Sequence, residues 1–209
     1  MAKRRRRSGK KNTVTKLLIS FLAIIALFLG VYFGHHYYRI WNQQRLEAQL
    51  KRQDQEAKEE FIKQVAPEAQ AMQNSYHVFA SITIAQAILE SQWGNSQLAS
   101  QYHNLFGIKG DDPETSRVLA TKEYINGQWI VIKGRFRVYD SWSDSIKDHT
   151  QLMLNGTDTN NDNYQNVIQA KNYRQAAYAL QESGYATDPN YAKKLITVIK
   201  AHKLYNYDK

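Results

Sequence analysis

The chain has 209 residues, a net charge of +9 at neutral pH and no cysteine. This length suits one domain with additional segments, and the lack of cysteine excludes disulfide bonds, thiol nucleophiles and cysteine-based metal sites. Eight basic side chains and no acidic one lie before position 17, so the rest of the chain has a net charge of only +1. A nearly neutral body argues against a broad phosphate-binding face, and we expect no nucleic-acid partner.

An apolar segment follows the basic tail of residues 1–16. No charged residue occurs between Lys16 and Arg39, and at about 1.5 Å per residue this stretch can cross a hydrocarbon core of about 30 Å. We predict a transmembrane helix at residues 17–38 with its N-terminus in the cytoplasm, because basic flanks stay inside. A cleaved signal peptide is the alternative, but the apolar run is long and no clean cleavage site follows it.

Two further regions are predicted after the membrane segment. Residues 39–60 are charged and rich in Gln, without Gly or Pro, which predicts a helical stalk roughly 30 Å long. From Phe61 onward the composition is that of a globular protein, and we assign residues 61–209 to one domain. Its first helix is expected to be interrupted or restarted at Pro67, since proline removes a helical hydrogen bond.

The segment around Glu90 is the most informative part of the chain. Thr83, followed by Gln86, is typical of a capping box at a helix start, and Gly94 is a natural helix stop. Glu90 then lies in the last turn of an apolar helix, poorly exposed to water. Such a carboxyl group tends to keep its proton, as acid-catalysed bond cleavage requires. A structural ion pair is the alternative. Gln86, one turn earlier, could line the same cleft.

Strand-forming residues dominate positions 117–139, and Asn126-Gly127 within them predicts a type I′ hairpin turn. The register expected from a two-residue turn pairs Ile125 with Gln128, Tyr124 with Trp129 and Glu123 with Ile130. Helices follow the hairpin and end the chain. Helices flanking one small antiparallel sheet predict an α+β domain.

Three helices are predicted after the hairpin. The first is capped by Ser141 or Ser143, and the second covers residues 172–183 and ends at Gly184. The last begins at Asp188-Pro189, since Asp is a good N-cap and proline suits the first helical position.

Five segments in this order resemble the family-73 glucosaminidases, which are bacterial peptidoglycan hydrolases with a lysozyme-like fold. The resemblance covers about residues 63–207. The segments are AILESQWGNSQLA (87–99), NLFGIK (104–109), EYING (123–127), FRVY (136–139) and GYATDPNYA (184–192). One departure is Gln92, where a glycine is usual in the family.

The resemblance implies both a reaction and a set of site residues. These enzymes cleave the β-1,4 bond on the reducing side of N-acetylglucosamine, which makes Glu90 the general acid and Glu123 the second carboxylate. Tyr185 and Tyr191 would line the site near the acid, and a packing role in the core is the alternative for either. Glycoside cleavage needs a protonated carboxyl group and a base or nucleophile on the opposite face of the sugar. One alternative is that Glu123 is an ordinary solvated strand residue. Another is that the acetamido group of the substrate itself helps to form the intermediate.

Other side chains are weaker candidates for substrate binding. Asn104 and Phe106 could shape the floor of the cleft, and Trp93 is a candidate sugar-stacking ring, as are Trp129 and Trp142; each of these aromatic residues could equally belong to the core. The six histidines show no zinc-binding spacing. The acidic turn at residues 158–169 lacks the glycine and glutamate of a calcium loop. We therefore expect no metal and no cofactor.

Together these features predict a peptidoglycan hydrolase anchored in the bacterial cell membrane by one helix, with its catalytic domain outside the cell. It would cleave between N-acetylglucosamine and N-acetylmuramic acid in glycan strands. A lytic transglycosylase or muramidase on the same substrate, and a non-catalytic wall-binding scaffold, are the alternatives. Endo and exo action are both open, and so are retaining, inverting and substrate-assisted mechanisms.

Overall fold

The chain divides into two units, residues 1–56 and 57–209. The structure, a computed structural model, describes residues 9–125 and 128–208, and it describes side chains outside positions 9–13, 122–125 and 129. The predicted Asn126-Gly127 turn lies outside the described residues.

Helix α1 (Gly9–Tyr76) contains the predicted membrane segment. Within the described part of the chain, it is the one helix long and apolar enough to cross a membrane, with a window of mean hydropathy 2.5 and no buried residue in that window. A helix of a soluble protein would bury such a surface. Residues 39–60 are helical throughout, and their role as a stalk stays a prediction.

Pro67 lies inside helix α1, so the expected interruption is wrong. The helix continues to Tyr76 although proline removes one backbone hydrogen bond. The flanking residues explain this, because Val65, Ala66 and Ala69 are almost fully buried in the core of the second unit. Tertiary packing therefore outweighs the local cost of the proline.

The second unit contains six further helices, one hairpin and a final 3₁₀ turn among its described residues. The helices are α2 (Ala80–Ser91), α3 (Gln97–Tyr102), α4 (Trp142–Asn155), α5 (Gln165–Ile168), α6 (Tyr173–Glu182) and α7 (Tyr191–Ala201), and the 3₁₀ turn is Leu204–Tyr207. The strands β1 (Ser116–Ile125) and β2 (Gln128–Arg137) form one antiparallel sheet. This largely helical fold with a small hairpin confirms the predicted fold class.

The hairpin has the predicted register. Ile125 pairs with Gln128, Tyr124 with Trp129 and Glu123 with Ile130. A shift of one residue would send every side chain to the other face of the sheet. The correct register therefore establishes which strand position Glu123 occupies.

Helix α2 lies at the centre of the second unit, with every residue from Ala80 to Ile88 buried. It begins at Ala80, so the capping box predicted at Thr83 is wrong. Distant side chains bind its first amide groups instead: Ala80 N donates to Gln73 Oε1 at 2.6 Å, and Ser81 N donates to Asp208 Oδ1 at 2.8 Å. These partners satisfy the free N–H groups that a local cap would otherwise bind.

Helix α2 ends at Ser91, three residues before the predicted stop. Gln92 adopts a left-handed conformation with φ of 53°, which suits glycine better than any other residue. Gly94 is also left-handed, and a side chain there would lie 2.7 Å from the Trp142 ring. The helix therefore ends one residue after Glu90, and Glu90 lies at the edge of the core, exposed to solvent.

Two of the other helix boundaries agree with the predictions and one does not. Ser141 caps α4 by accepting a hydrogen bond from Asp144 N, and α6 ends just before Gly184, which has φ of 71°. Helix α7 begins at Tyr191, so the predicted start at Asp188-Pro189 is wrong. Asp188 instead forms a turn before the helix, where its carbonyl oxygen accepts from Tyr191 N at 3.0 Å.

Candidate active site

Glu90 ends a chain of three polar side chains that joins α2 to α7. Tyr191 donates its hydroxyl proton to Glu90 Oε1 at 2.8 Å, and Gln86 Nε2 donates to the Tyr191 oxygen at 3.2 Å. Gln86 and Tyr191 are buried, whereas Glu90 is exposed. The chain therefore leads from the core to a carboxyl group that a ligand can reach.

Solvent reaches the Glu90 side chain, so the expectation of poor exposure is wrong. The surrounding protein nevertheless desolvates the carboxylate and raises its pKa above the ordinary value of 4.5, although the Tyr191 hydrogen bond and the charge of Lys194 act in the opposite direction. Because water still contacts the group, the rise is smaller than it would be for a sealed carboxyl group. Glu90 is thus both accessible and more readily protonated than a free glutamate.

Two tyrosine rings lie beside the acid. Tyr185 and Tyr191 stack with a centroid separation of 5.7 Å and an interplanar angle of 17°. Burial raises the pKa of both phenols well above 10, and the charge of Glu90 adds to the rise. Both hydroxyl groups therefore remain protonated at every working pH, and Tyr191 donates its proton to Glu90.

Phe106 and His149 pack behind this pair. The Phe106 ring stacks on His149 at 4.0 Å, and His149 meets Tyr185 edge-on at 5.9 Å. Burial lowers the pKa of His149 to about 3, so the imidazole is neutral. Phe106 is therefore a packing residue rather than an exposed part of the cleft floor. Within the described residues, no group of three or more metal-ligating side chains occurs.

Asp148 links the base of the hairpin to α4. Arg137 Nη1 lies 2.8 Å from Asp148 Oδ1, and the Tyr139 hydroxyl donates to Asp148 Oδ2 at 2.5 Å. Burial, and then the hydrogen bond to Asp148, raise the pKa of Tyr139. No local sequence pattern marks Asp148 or His149. Only the FRVY segment, which supplies Arg137 and Tyr139, pointed toward this part of the fold.

Asn104 is not available to a ligand. It is 1% exposed, and its side-chain amide forms hydrogen bonds with four backbone groups. Its Nδ2 donates to the carbonyl oxygens of Ile108 and Arg137 at 2.9 and 3.0 Å. Its Oδ1 accepts hydrogen bonds from Phe106 N and Ile108 N. Asn104 therefore holds its loop and the end of β2 together, and the expectation that it binds substrate is replaced by this structural role.

Trp93 also makes packing contacts. Its ring meets Phe61 at 5.9 Å and His202 at 4.8 Å, and Lys58 Nζ lies 5.6 Å from the ring centroid. Trp142 packs on Phe61 as well, at 5.2 Å. These contacts favour a structural role for Trp93 over sugar stacking. The side chain of Trp129 lies outside the described residues.

The structure brings together Glu90, Gln86, Tyr185 and Tyr191 from the predicted site. The backbone of Glu123 lies in β1, paired with Ile130, but its side chain lies outside the described residues. Its role as second carboxylate therefore stays a prediction.

Comparisons with known proteins agree with this arrangement. The glucosaminidase family model, described as mannosyl-glycoprotein endo-beta-N-acetylglucosaminidase, matches residues 66–204. The exo-glucosaminidase LytG of Bacillus subtilis is 39% identical over 199 residues, covering 95% of this chain and 69% of LytG. A probable N-acetylmuramidase of Lactococcus lactis is 40% identical over 152 residues, covering 72% of this chain and 35% of that protein.

A solved structure shows the same relationship in three dimensions. The catalytic domain of the autolysin Auto from Listeria monocytogenes superposes with a TM-score of 0.66 at 36% identity, covering 73% of this chain and 88% of that domain. Residues 66–204, which the family model matches, contain the Glu90 helix, the hairpin and the tyrosine segment. The chain belongs to the family-73 glucosaminidases, a family of glycoside hydrolases.

Proposed function

We propose that this protein hydrolyses the β-1,4 bond between N-acetylglucosamine and N-acetylmuramic acid in peptidoglycan. The observation that carries the proposal is the state of Glu90, which is accessible, has a raised pKa and is held by Tyr191. A glycoside hydrolase needs such a carboxyl group to protonate the leaving oxygen. Membership in a family that contains named autolysins and peptidoglycan hydrolases supports the substrate.

In the proposed mechanism, Glu90 gives its proton to the glycosidic oxygen as the bond to C1 breaks. The Tyr191 hydroxyl then stabilises the new carboxylate by donating to Oε1. Positive charge develops on the sugar ring, and a carboxylate or the substrate acetamido group stabilises it from the opposite face. We assign this role to Glu123, which the hairpin carries. A water molecule then adds its oxygen to C1 and gives a proton to the Glu90 carboxylate or to Glu123, which completes the hydrolysis.

The identity of the new reducing end tests the proposal. The full chain in detergent is incubated with purified peptidoglycan, and the products are reduced with borohydride and analysed by mass spectrometry. Reduced N-acetylglucosamine is expected. Reduced muramic acid would indicate a muramidase, which the similarity to the lactococcal protein makes the second candidate. Anhydro-muramic ends would indicate a lytic transglycosylase.

The Glu90→Gln variant separates an enzyme from a wall-binding scaffold. Its amide keeps the shape of the carboxyl group but cannot supply the proton, so we expect at least about 100-fold loss of activity with binding to insoluble peptidoglycan retained. Wild-type activity in Glu90→Gln would reject the proposed role of Glu90. Endo action is expected to produce fragments of intermediate length early in digestion, whereas exo action, as in the name of LytG, would release only terminal units.

We also propose that residues 17–38 anchor the enzyme, with the basic tail of residues 1–16 in the cytoplasm and the enzymatic domain outside. The absence of cysteine makes this simple to test. A single cysteine at Ser8 should resist a membrane-impermeant maleimide in intact cells, and one at the exposed Gln151 should react. Reversed labelling would reject the topology. A shortened protein in the medium would indicate a cleaved signal peptide.

A further inference from the structure

Gln86 is a polar side chain in a helix whose neighbouring residues are almost all apolar and buried. It is 0% exposed, and within the described residues its Oε1 has no hydrogen-bond partner. Burying an amide in such surroundings is unfavourable unless its hydrogen bonds are made. Its one described side-chain hydrogen bond is donated by Nε2 to the Tyr191 oxygen. The Gln86 amide is therefore buried at a cost in free energy, and its one described side-chain hydrogen bond is the one to Tyr191.

That contact determines the direction of the next hydrogen bond. A tyrosine hydroxyl has one proton, and it cannot point toward a group that is itself donating. Because Gln86 Nε2 donates to the Tyr191 oxygen, the Tyr191 proton turns to Glu90 Oε1, 2.8 Å away. Oε1 is then an acceptor, and a proton on the Glu90 carboxyl group belongs on Oε2.

We infer that Gln86 is a positioning residue: it aims the Tyr191 hydroxyl proton at Glu90 Oε1 and so keeps the acid proton of Glu90 on Oε2, where the leaving oxygen of the substrate can take it. This inference rests on the proposed function of Glu90 as general acid. It replaces the sequence-based assignment of Gln86 as a cleft-lining residue, because a fully buried side chain cannot contact substrate.

Reversal of the amide shows why its orientation matters. If Gln86 presented its oxygen, Tyr191 would donate to Gln86 and accept a proton from Glu90 Oε1. The acid proton would then point into the protein and away from the sugar. The other described groups that act electrostatically on Glu90, Lys194 and Tyr185, lie outside this chain of hydrogen bonds. Lys194 and Tyr185 would therefore not restore the hydrogen bond from the Tyr191 hydroxyl to Glu90 Oε1.

A double-mutant cycle tests the inference in the full chain in detergent, with kcat and KM measured on soluble glycan strands. Gln86→Met preserves the length of the side chain and removes both the NH2 and the carbonyl oxygen of its amide. We expect kcat to fall about tenfold with KM nearly unchanged, since Gln86 does not touch substrate. The kcat of Tyr191→Phe should fall by a similar factor. The double variant should lose less than about twofold beyond Tyr191→Phe alone, because Gln86 acts through Tyr191.

Two further readouts separate positioning from general damage to the fold. The basic limb of the pH–rate profile of Gln86→Met should move to higher pH, because a freed Tyr191 can accept a proton from neutral Glu90 and so favours the protonated acid. Gln86→Glu should lower kcat more than Gln86→Met, since an acceptor at this position reverses the Tyr191 hydroxyl. Thr83→Val, a matched change at another buried polar residue of α2, should leave kcat unchanged.

Additive losses in the double variant, or wild-type kcat and pH dependence in Gln86→Met, would overturn the inference. The melting temperature of each variant is measured, and Gln86→Glu supplies the test if Gln86→Met does not fold. The outcome for Glu90→Gln keeps the two proposals apart. An active Glu90→Gln rejects the acid itself, whereas an inactive one combined with additive losses rejects only the positioning role.

Discussion

The hydroxyl group of Tyr191 donates a hydrogen bond of 2.8 Å to Oε1 of Glu90, although the two residues are 101 positions apart in the chain. The bond joins the first residue of α7 to the last turn of α2. Its donor never ionises at working pH, since burial keeps the pKa of Tyr191 well above 10. The Glu90 carboxyl group therefore accepts a fixed hydrogen bond at Oε1, while the side chain remains exposed to solvent.

Tyr191→Phe should shift the activity profile to higher pH. The Tyr191 hydrogen bond stabilises the Glu90 carboxylate and so lowers its pKa. Removing the donor raises that pKa, and an acid that must be protonated to work then stays active to higher pH. The basic limb of the kcat profile is therefore expected to move up, with a roughly tenfold lower maximum. A downward shift would show that Tyr191 acts in some other way.

Glu90→Gln should be more stable than the wild type at neutral pH. The folded protein raises the pKa of Glu90 above 4.5, with desolvation as the largest cause, so ionised Glu90 destabilises the fold. This destabilisation is absent below the unfolded pKa and develops as pH rises through the folded pKa. Thermal melting at pH 4 and pH 7 checks this, with the advantage of the variant confined to the higher pH. An equal advantage at both values would contradict it.

Glu123→Gln should lose at least about tenfold in rate if Glu123 is the base or nucleophile. Glu114→Gln, at an exposed position just before β1, is the matched control and should retain full activity. For Glu123→Ala, restoration of activity by azide would separate a lost nucleophile from a lost fold. A wild-type rate in Glu123→Gln would remove Glu123 from the mechanism and favour assistance by the substrate acetamido group.

Gln92→Gly should stabilise the second unit by about 1 kcal/mol. The left-handed conformation costs a residue with a side chain about 1–2 kcal/mol, and glycine avoids this cost. Part of the gain is lost because glycine has more conformational freedom in the unfolded chain. Gln92 has φ of 53° and is exposed. Urea unfolding measures the change. Gln97→Gly, at the first residue of α3, is the control and should destabilise instead, by at most about 0.5–1 kcal/mol, since its backbone is helical.

His149→Phe should keep its activity and stabilise the fold by about 1 kcal/mol, since unpaired buried polar groups are costly and an apolar ring of similar shape removes the penalty. Within the described residues, neither ring nitrogen of His149 has a hydrogen-bond partner, and the ring stacks on Phe106. His149→Ala should instead lose about 2–4 kcal/mol through the cavity it leaves. A folded but inactive His149→Phe would show that the imidazole takes part in catalysis.

The sequence by itself determined the features that depend on local pattern. Glu90 follows a run of apolar helical residues, the position of the Asn-Gly pair predicted the register of the hairpin, and Ser141 and Gly184 marked helix boundaries. Each signal lies within a few residues of the structure that it predicts, because caps and tight turns are made by neighbouring backbone groups. The order of the five short segments indicated the family and, through it, the expected reaction.

Only the tertiary structure decided what distant residues contribute. Helix α2 begins at Ala80 because Gln73 and Asp208 bind its first amide groups. Gln86 proved to be a buried partner of Tyr191 rather than a cleft residue. Contacts such as these join segments that are far apart in the chain, and a linear pattern does not contain the packing that brings them together.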